Sequence, residues 1–310
     1  MAMGGSGFVV VIIIIFVAIS LTGGGTKNSP SDTGAYAISP SVVAEVTGVP
    51  VSALVKEAKA EDTSGGVIPP QKLPPKNPAL TSGGLPEFLY MGGEYCPYCA
   101  AERWSLVMAL SKFGTFSNLR GTSSSATDVY PSTPTFSFYG SSFKSKYVSF
   151  VADEMYKNYG QDASTGVWPT LQKPTAQQTA LITQYDAPPY TESSEAGGIP
   201  FMYLGGRFVE IGPQYVATSL SGDQFDTAAA LQTSGTNTTS KDAEASAGYL
   251  VGDICALTKD KPASVCSQVP SWMIGVNTKS KPPVASVPSK GSTKGSTTTT
   301  AKKSTAKAKS

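Results

Sequence analysis

The chain has 310 residues, with 24 Lys and Arg against 22 Asp and Glu, so its net charge of +2 implies no general electrostatic partner and no nucleic acid. It contains no histidine, which excludes Ser-His-Asp and Cys-His catalysis and the common histidine-containing zinc sites. A hydrophobic content of 40% suffices for a packed core, while 31 Gly and 23 Pro point to many loops.

The first element is the apolar run Phe8 to Leu21, FVVVIIIIFVAISL, set in a stretch whose first charged residue is Lys27. A spanning helix needs roughly 17–25 residues, and the uncharged flanks supply the difference. Residues 1–25 are therefore expected to be a single-pass membrane anchor, with a cleaved signal peptide as the alternative. Either way the remainder is expected outside the cytoplasm, where disulfides persist. Residues 26–84 read as a linker and extended arm. Within them Val51 to Ala58 has the spacing of a short amphipathic helix, and Lys72 to Pro78 is expected to be polyproline-like.

The folded part is expected over residues 85–275. Glu87 to Met91 predicts a buried strand, stopped by Gly92-Gly93. Cys96 to Phe113 predicts a helix with Pro97 in its first turn. Trp104, Val107, Met108 and Leu110 form its apolar face, and Glu102, Arg103 and Lys112 its polar face. Strands are predicted at Asn118 to Ser123, Thr135 to Tyr139 and Lys146 to Ala152, then a helix over Pro174 to Tyr185. Ile199 to Leu204, Gly205-Gly206 and Arg207 to Ile211 form a hairpin pattern entered through Pro200. Ser221 to Leu231 and Ala243 to Leu257 predict two more helices. Residues 276–310, rich in Lys, Ser and Thr and free of acids, read as a disordered tail. The order of elements predicts an α/β domain with a mixed central sheet.

Four cysteines fall into two pairs. Cys96-Pro97-Tyr98-Cys99 lies between a strand and a helix. Helix N-terminal N–H groups carry partial positive charge, and the thiolate is the nucleophile of disulfide exchange, so this position favours reaction at Cys96. Cys99, one turn on, is placed to resolve a mixed disulfide and is expected to be the more shielded. A metal knuckle, a static disulfide and two unpaired thiols are the other readings of a CxxC. Cys255 and Cys266 bracket a polar loop and are expected to form a structural disulfide, two free thiols being the alternative. Neither metal nor organic cofactor is expected. Glu94 is a candidate proton relay, although a carboxylate there is more often a solvated turn residue. Tyr98 is a candidate substrate contact. Asn237-Thr238-Thr239 is a glycosylation sequon.

Cys96-Pro97-Tyr98-Cys99 is similar to the glutaredoxin-type motif, and the chain resembles the thioredoxin superfamily, from which it departs by a long insertion after the CxxC helix, between that helix and Pro200. The resemblance implies that Ile199-Pro200 is the cis-proline site facing the CxxC, with the Ile199 backbone and Tyr98 in contact with substrate. The stretches GGEYCPYCAAERW, YPSTPTFSFYG, GGIPFMYLGG and ICALTKDKPASVC also resemble an uncharacterised prokaryotic family, domain of unknown function 929, roughly from Leu85 to Cys266. The function expected is an extracytoplasmic thiol–disulfide oxidoreductase acting on exported protein thiols or disulfides with an unknown redox partner. The alternative is a binding or envelope-structural module with a static CxxC disulfide.

Overall fold

The computed structural model describes residues 34–273 except Gly65, Glu195 and Ala217. The expected anchor and the Lys/Ser/Thr tail lie outside the described residues. Among the described residues no helix is long and apolar enough to cross a membrane.

The sheet is built around β3 (Leu85–Gly92). On one side lies β8 (Ser149–Glu154), parallel to it; on the other lies β9 (Phe201–Leu204), antiparallel. β10 (Phe208–Ile211) pairs antiparallel with β9, and the two-residue strand β1 (Gln71–Lys72) closes that edge. β2 (Thr81–Ser82) pairs with the first residues of β3. Parallel neighbours need a crossover connection. Here it runs from β3 through α3 (Pro97–Leu110) and the insertion to β8. The β9–β10 pair needs only Gly205-Gly206, both at positive φ, as a tight hairpin requires. A Cβ on Gly206 would collide with the Pro78 carbonyl oxygen, so glycine is needed for space as well.

Both faces of the sheet are covered. Side chains alternate along each strand. Phe88, Tyr90, Met202, Leu204 and Phe208 join the larger core with Trp104 of α3 and with Leu250 and Ile254 of α6 (Thr238–Leu257). Leu89, Met91, Phe201, Tyr203 and Val209 join the smaller core with Tyr185 of α4 (Ala176–Tyr185). The result is a mixed α/β fold, as the order of elements predicts.

The linker and arm reading of residues 26–84 is corrected over its described part. α1 (Pro40–Gly48) and α2 (Val51–Ser64) place Val42, Val46, Leu54 and Ala58 in the larger core. Helix α2 lies tight on α6: a Cβ on Gly248 would come within 2.5 Å of the Leu54 carbonyl oxygen. The Pro-rich stretch beyond α2 supplies β1 and β2 and seats Leu73 and Leu80 in the smaller core. Edge strands tolerate proline, which explains how this stretch joins the sheet.

The insertion between α3 and β8 is two antiparallel pairs. β4 (Gly114–Ser117) meets β7 (Ser142–Ser145), and β5 (Arg120–Ser123) meets β6 (Pro134–Ser137). Phe116, Phe138, Phe143 and Phe150 pack their rings together beneath it. After β10 come α5 (Phe225–Thr233), α6 and the short α7 (Ala263–Cys266). Asn237 caps α6: its side-chain oxygen accepts from the Ser240 N–H at 2.9 Å and its amide nitrogen donates to the Leu231 carbonyl at 2.9 Å. Cys255 and Cys266 lie at disulfide distance, S–S 2.01 Å. A loop of this length is worth about 2–3 kcal/mol in the chain-entropy model.

Candidate functional site

Cys96 is the N-cap of α3, with extended backbone, and its sulfur accepts a hydrogen bond from the Cys99 N–H at 3.3 Å. Pro97 follows at the first helical position, where a missing N–H costs nothing. β3 therefore delivers the chain to the turn, and α3 turns its N–H groups toward the Cys96 sulfur. Across the turn the Ile199 carbonyl oxygen sits 3.7 Å from Cys96 Sγ, and the Ile199–Pro200 peptide is cis. Cys96 is 5% exposed and Cys99 is fully buried. Tyr98 is partly exposed and lies edge-on to Tyr130, which comes from the loop joining β5 and β6. The same loop approaches the motif through the Ser125 N–H, which donates to the Tyr95 carbonyl. Cys96, Cys99, Tyr98, Ile199 and Pro200 are thus brought together, while Cys255 and Cys266 are bonded to each other elsewhere.

Below the cysteines lies a buried ion pair. Arg103 Nε and Nη2 donate to the two Glu154 oxygens at 2.9 and 2.6 Å, and both side chains are fully buried. Nη2 also donates to the Gly93 carbonyl at 3.0 Å, and the guanidinium lies 5.8 Å from the centre of the Tyr90 ring. The polar residues of α3 do not all look onto solvent: α6 and the insertion pack against the helix, and Glu102 and Arg103 are both buried. Burial pushes the Cys99 thiol well up, as does the adjacent Cys96, while the Arg103 charge opposes both.

Glu94 is not a solvated turn residue. It is buried, its backbone N–H donates to the Tyr156 carbonyl, and its carboxylate accepts from Ser137 Oγ at 2.5 Å. Burial raises its pKa first and the nearby Glu154 charge second; Ser137 and Arg103 oppose the rise. Glu94 thus sits beside the ion pair under the CxxC as a carboxyl disposed to hold a proton.

Glu154, Ser137 and Tyr130 are site residues that pattern reading does not find. Each sits at the end of a strand or in a loop, where no periodicity marks it. The stretch between β8 and α4 is another. Trp168 stacks on Tyr95 at 4.8 Å and Tyr156 meets the same ring edge-on at 5.9 Å, so this stretch walls the motif. Among the described residues no group of three or more acidic or cysteine side chains is disposed to hold a metal ion.

Fold and site together define a mixed α/β protein with a cysteine pair at a helix N-terminus, opposed by a backbone carbonyl. The chain belongs to the family described as Domain of unknown function (DUF929), whose model matches residues 72–229. That span holds Cys96, Cys99, Ile199 and Pro200 and ends before Cys255. Neither the search of curated proteins nor that of solved structures found a match.

Proposed function

We propose that the protein is a thiol–disulfide oxidoreductase of thioredoxin-like fold, with Cys96 attacking and Cys99 resolving. The carrying observation is the setting of Cys96 Sγ between the Cys99 N–H at 3.3 Å and the Ile199 carbonyl at 3.7 Å. The N–H favours negative charge on the outer sulfur. The carbonyl is a backbone acceptor within reach of a chain bonded to that sulfur. Cys99 has to lose a proton before it resolves the mixed disulfide, and Glu94 is our candidate relay for that proton. Substrates in this reading are exported protein thiols or disulfides, and a separate redox partner resets the pair.

The low exposure of Cys96 favours a second reading, a binding module with a static pair. Replacing Cys99 by Ser separates the two. Without the resolving thiol, Cys99→Ser should accumulate mixed disulfides at Cys96, visible as adducts on non-reducing gels and by mass spectrometry. Cys96→Ser should accumulate none. An adduct-free Cys99→Ser protein would favour the binding module.

We further propose that the domain is extracytoplasmic and held at the membrane by residues 1–25. The apolar run before Lys27 and the disulfide distance between Cys255 and Cys266 support this. Protease added to intact cells, or to spheroplasts where a wall shields the surface, should degrade residues beyond Gly84. Full protection would rule the location out.

A further inference from the structure

A cavity of about 450 Å³ opens beside Cys96, walled by Tyr95, Tyr156, Trp168, Val167, Ile182 and Ile199. Ile199 is shared: its carbonyl meets the Cys96 sulfur, and the same residue lines the cavity. No Asp, Glu, Lys or Arg is among the lining residues.

The cavity is preformed. Its outer wall is the stretch between β8 and α4, tied down by backbone hydrogen bonds from Leu171 to Met155 and from Lys157 to Pro169. Its lip is a closed loop in which Asp162 Oδ1 accepts from the Ser164 and Thr165 N–H groups, both at 2.9 Å, and Gly166 N–H donates to the Asp162 carbonyl. This loop leads into Val167, an apolar residue that lines the cavity while 62% exposed.

We infer that this cavity selects the substrate: a polypeptide disulfide carrying a large apolar side chain close to the cysteine that bonds to Cys96. The inference rests on the exchange reading. A chain whose sulfur bonds to Cys96 must pass the Ile199 carbonyl, and the neighbouring side chain then meets the cavity. A hydrophobic group gains from leaving water there. A charged one loses hydration and finds no residue of opposite charge on these walls, which is costly. The same argument disfavours small charged thiols such as glutathione, whose carboxylates and ammonium meet no opposite charge on these walls.

The step balances within the protein and its substrate. The Cys96 thiolate attacks the substrate disulfide R–S–S–R′, forming Cys96–S–S–R and releasing R′–S⁻. Cys99, after giving up its proton, attacks Cys96 Sγ, forming the Cys96–Cys99 disulfide and releasing R–S⁻. Two electrons pass from the cysteine pair to the substrate, whose two thiolates take up protons from solvent and from Cys99. A single turnover of reduced protein needs no other reductant.

The test is single-turnover oxidation of the reduced full chain by peptide disulfides that differ only in the residue beside cysteine: Leu, Phe, Lys or Asp, with glutathione disulfide alongside. The Leu and Phe peptides should react at least tenfold faster than the others. Val167→Lys should slow them and speed the Asp peptide, shrinking the Leu-to-Asp ratio several-fold. Equal rates for all peptides would overturn the inference and leave the exchange reading standing. An apolar preference untouched by Val167→Lys would also overturn it, because the selecting surface would lie elsewhere. Failure to exchange with any disulfide would overturn the exchange reading itself.

Discussion

Glu154→Leu should destabilise the protein by about 3–5 kcal/mol, the usual result of stripping a buried charge of its partner. The guanidinium of Arg103 would remain fully buried, having lost both carboxylate hydrogen bonds and kept the Gly93 carbonyl and the Tyr90 ring face. It has no neutral form to retreat to, since arginine stays protonated in proteins. Arg103→Met should cost less. The abandoned carboxylate can become neutral by taking up a proton, and it keeps the Phe138 N–H at 3.2 Å. The double variant Arg103→Met/Glu154→Leu should recover most of the loss, because an apolar pair of similar volume commonly replaces a buried ion pair at little cost. Urea denaturation of the parent and the three variants measures the cycle. A Glu154→Leu cost below about 1 kcal/mol would mean that water reaches the pair, as at exposed ion pairs.

The same pair marks the boundary of what the sequence discloses. β3, the β9–β10 hairpin, α4 and α6 are legible because each carries a local signal: an apolar run stopped by Gly-Gly, an alternating hairpin around Gly205-Gly206, a proline-led helix, a long apolar helix. The cysteine pair is legible for the same reason, since the motif, the strand before it and the helix after it are contiguous. Arg103 and Glu154 are 51 residues apart, and neither position reveals the other. Helical periodicity marks Arg103 as polar beside an apolar face but does not say what covers it, and here α6 and the insertion pack against the helix. The expectation for Glu94 fails: the turn after β3 folds under β6 instead of outward, and only the partner Ser137 reveals it.

Residues 40–84 fail for a different reason. Their composition is that of a linker, yet a two-residue edge strand needs no periodicity, and β1 and β2 are no longer than that. Helix α2 carries only a thin apolar stripe, because Val51, Leu54 and Ala58 alone among its apolar residues are buried. What holds α2 is the close approach at Gly248 on α6 and the Tyr249 hydroxyl donating to the Ala58 carbonyl at 3.1 Å. Both partners lie almost two hundred residues along the chain.

Stability should fall as pH rises from about 5 to 8, and Glu210→Gln should flatten part of that fall. Glu102 of α3 and Glu210 of β10 are buried near each other in the interior, beside Asp253 of α6, and neither carboxyl oxygen of Glu210 has a hydrogen-bond partner among the described residues. No cation pairs with either among the described residues. Glu102 also accepts from the Gln214 N–H at 3.1 Å, and Ser246 lies at its other oxygen. Burial pushes Glu102 up to about 7, and pushes Glu210 well up, with the charges of Glu102 and Asp253 adding to its rise. The sign follows from proton counting. Between the ordinary carboxyl pKa and the raised folded value, the folded state holds a proton that the unfolded chain has released. Stability is therefore full below the unfolded pKa and is lost as pH rises through the window, at about 1.4 kcal/mol per pH unit for each such group. Burial raises Glu94, Glu244 and Asp242 as well, so their contributions have the same sign. Lys112 opposes them only above its own lowered value of about 8. Glutamine at 210 keeps the size and shape of the side chain but cannot ionise. Relative to the parent, the variant should gain roughly 3 kcal/mol between pH 4.5 and pH 7. Urea midpoints for both proteins across that range decide the matter. A difference that stays constant with pH would mean that Glu210 does not titrate with folding, and a parent that grows more stable toward pH 8 would reverse the sign outright.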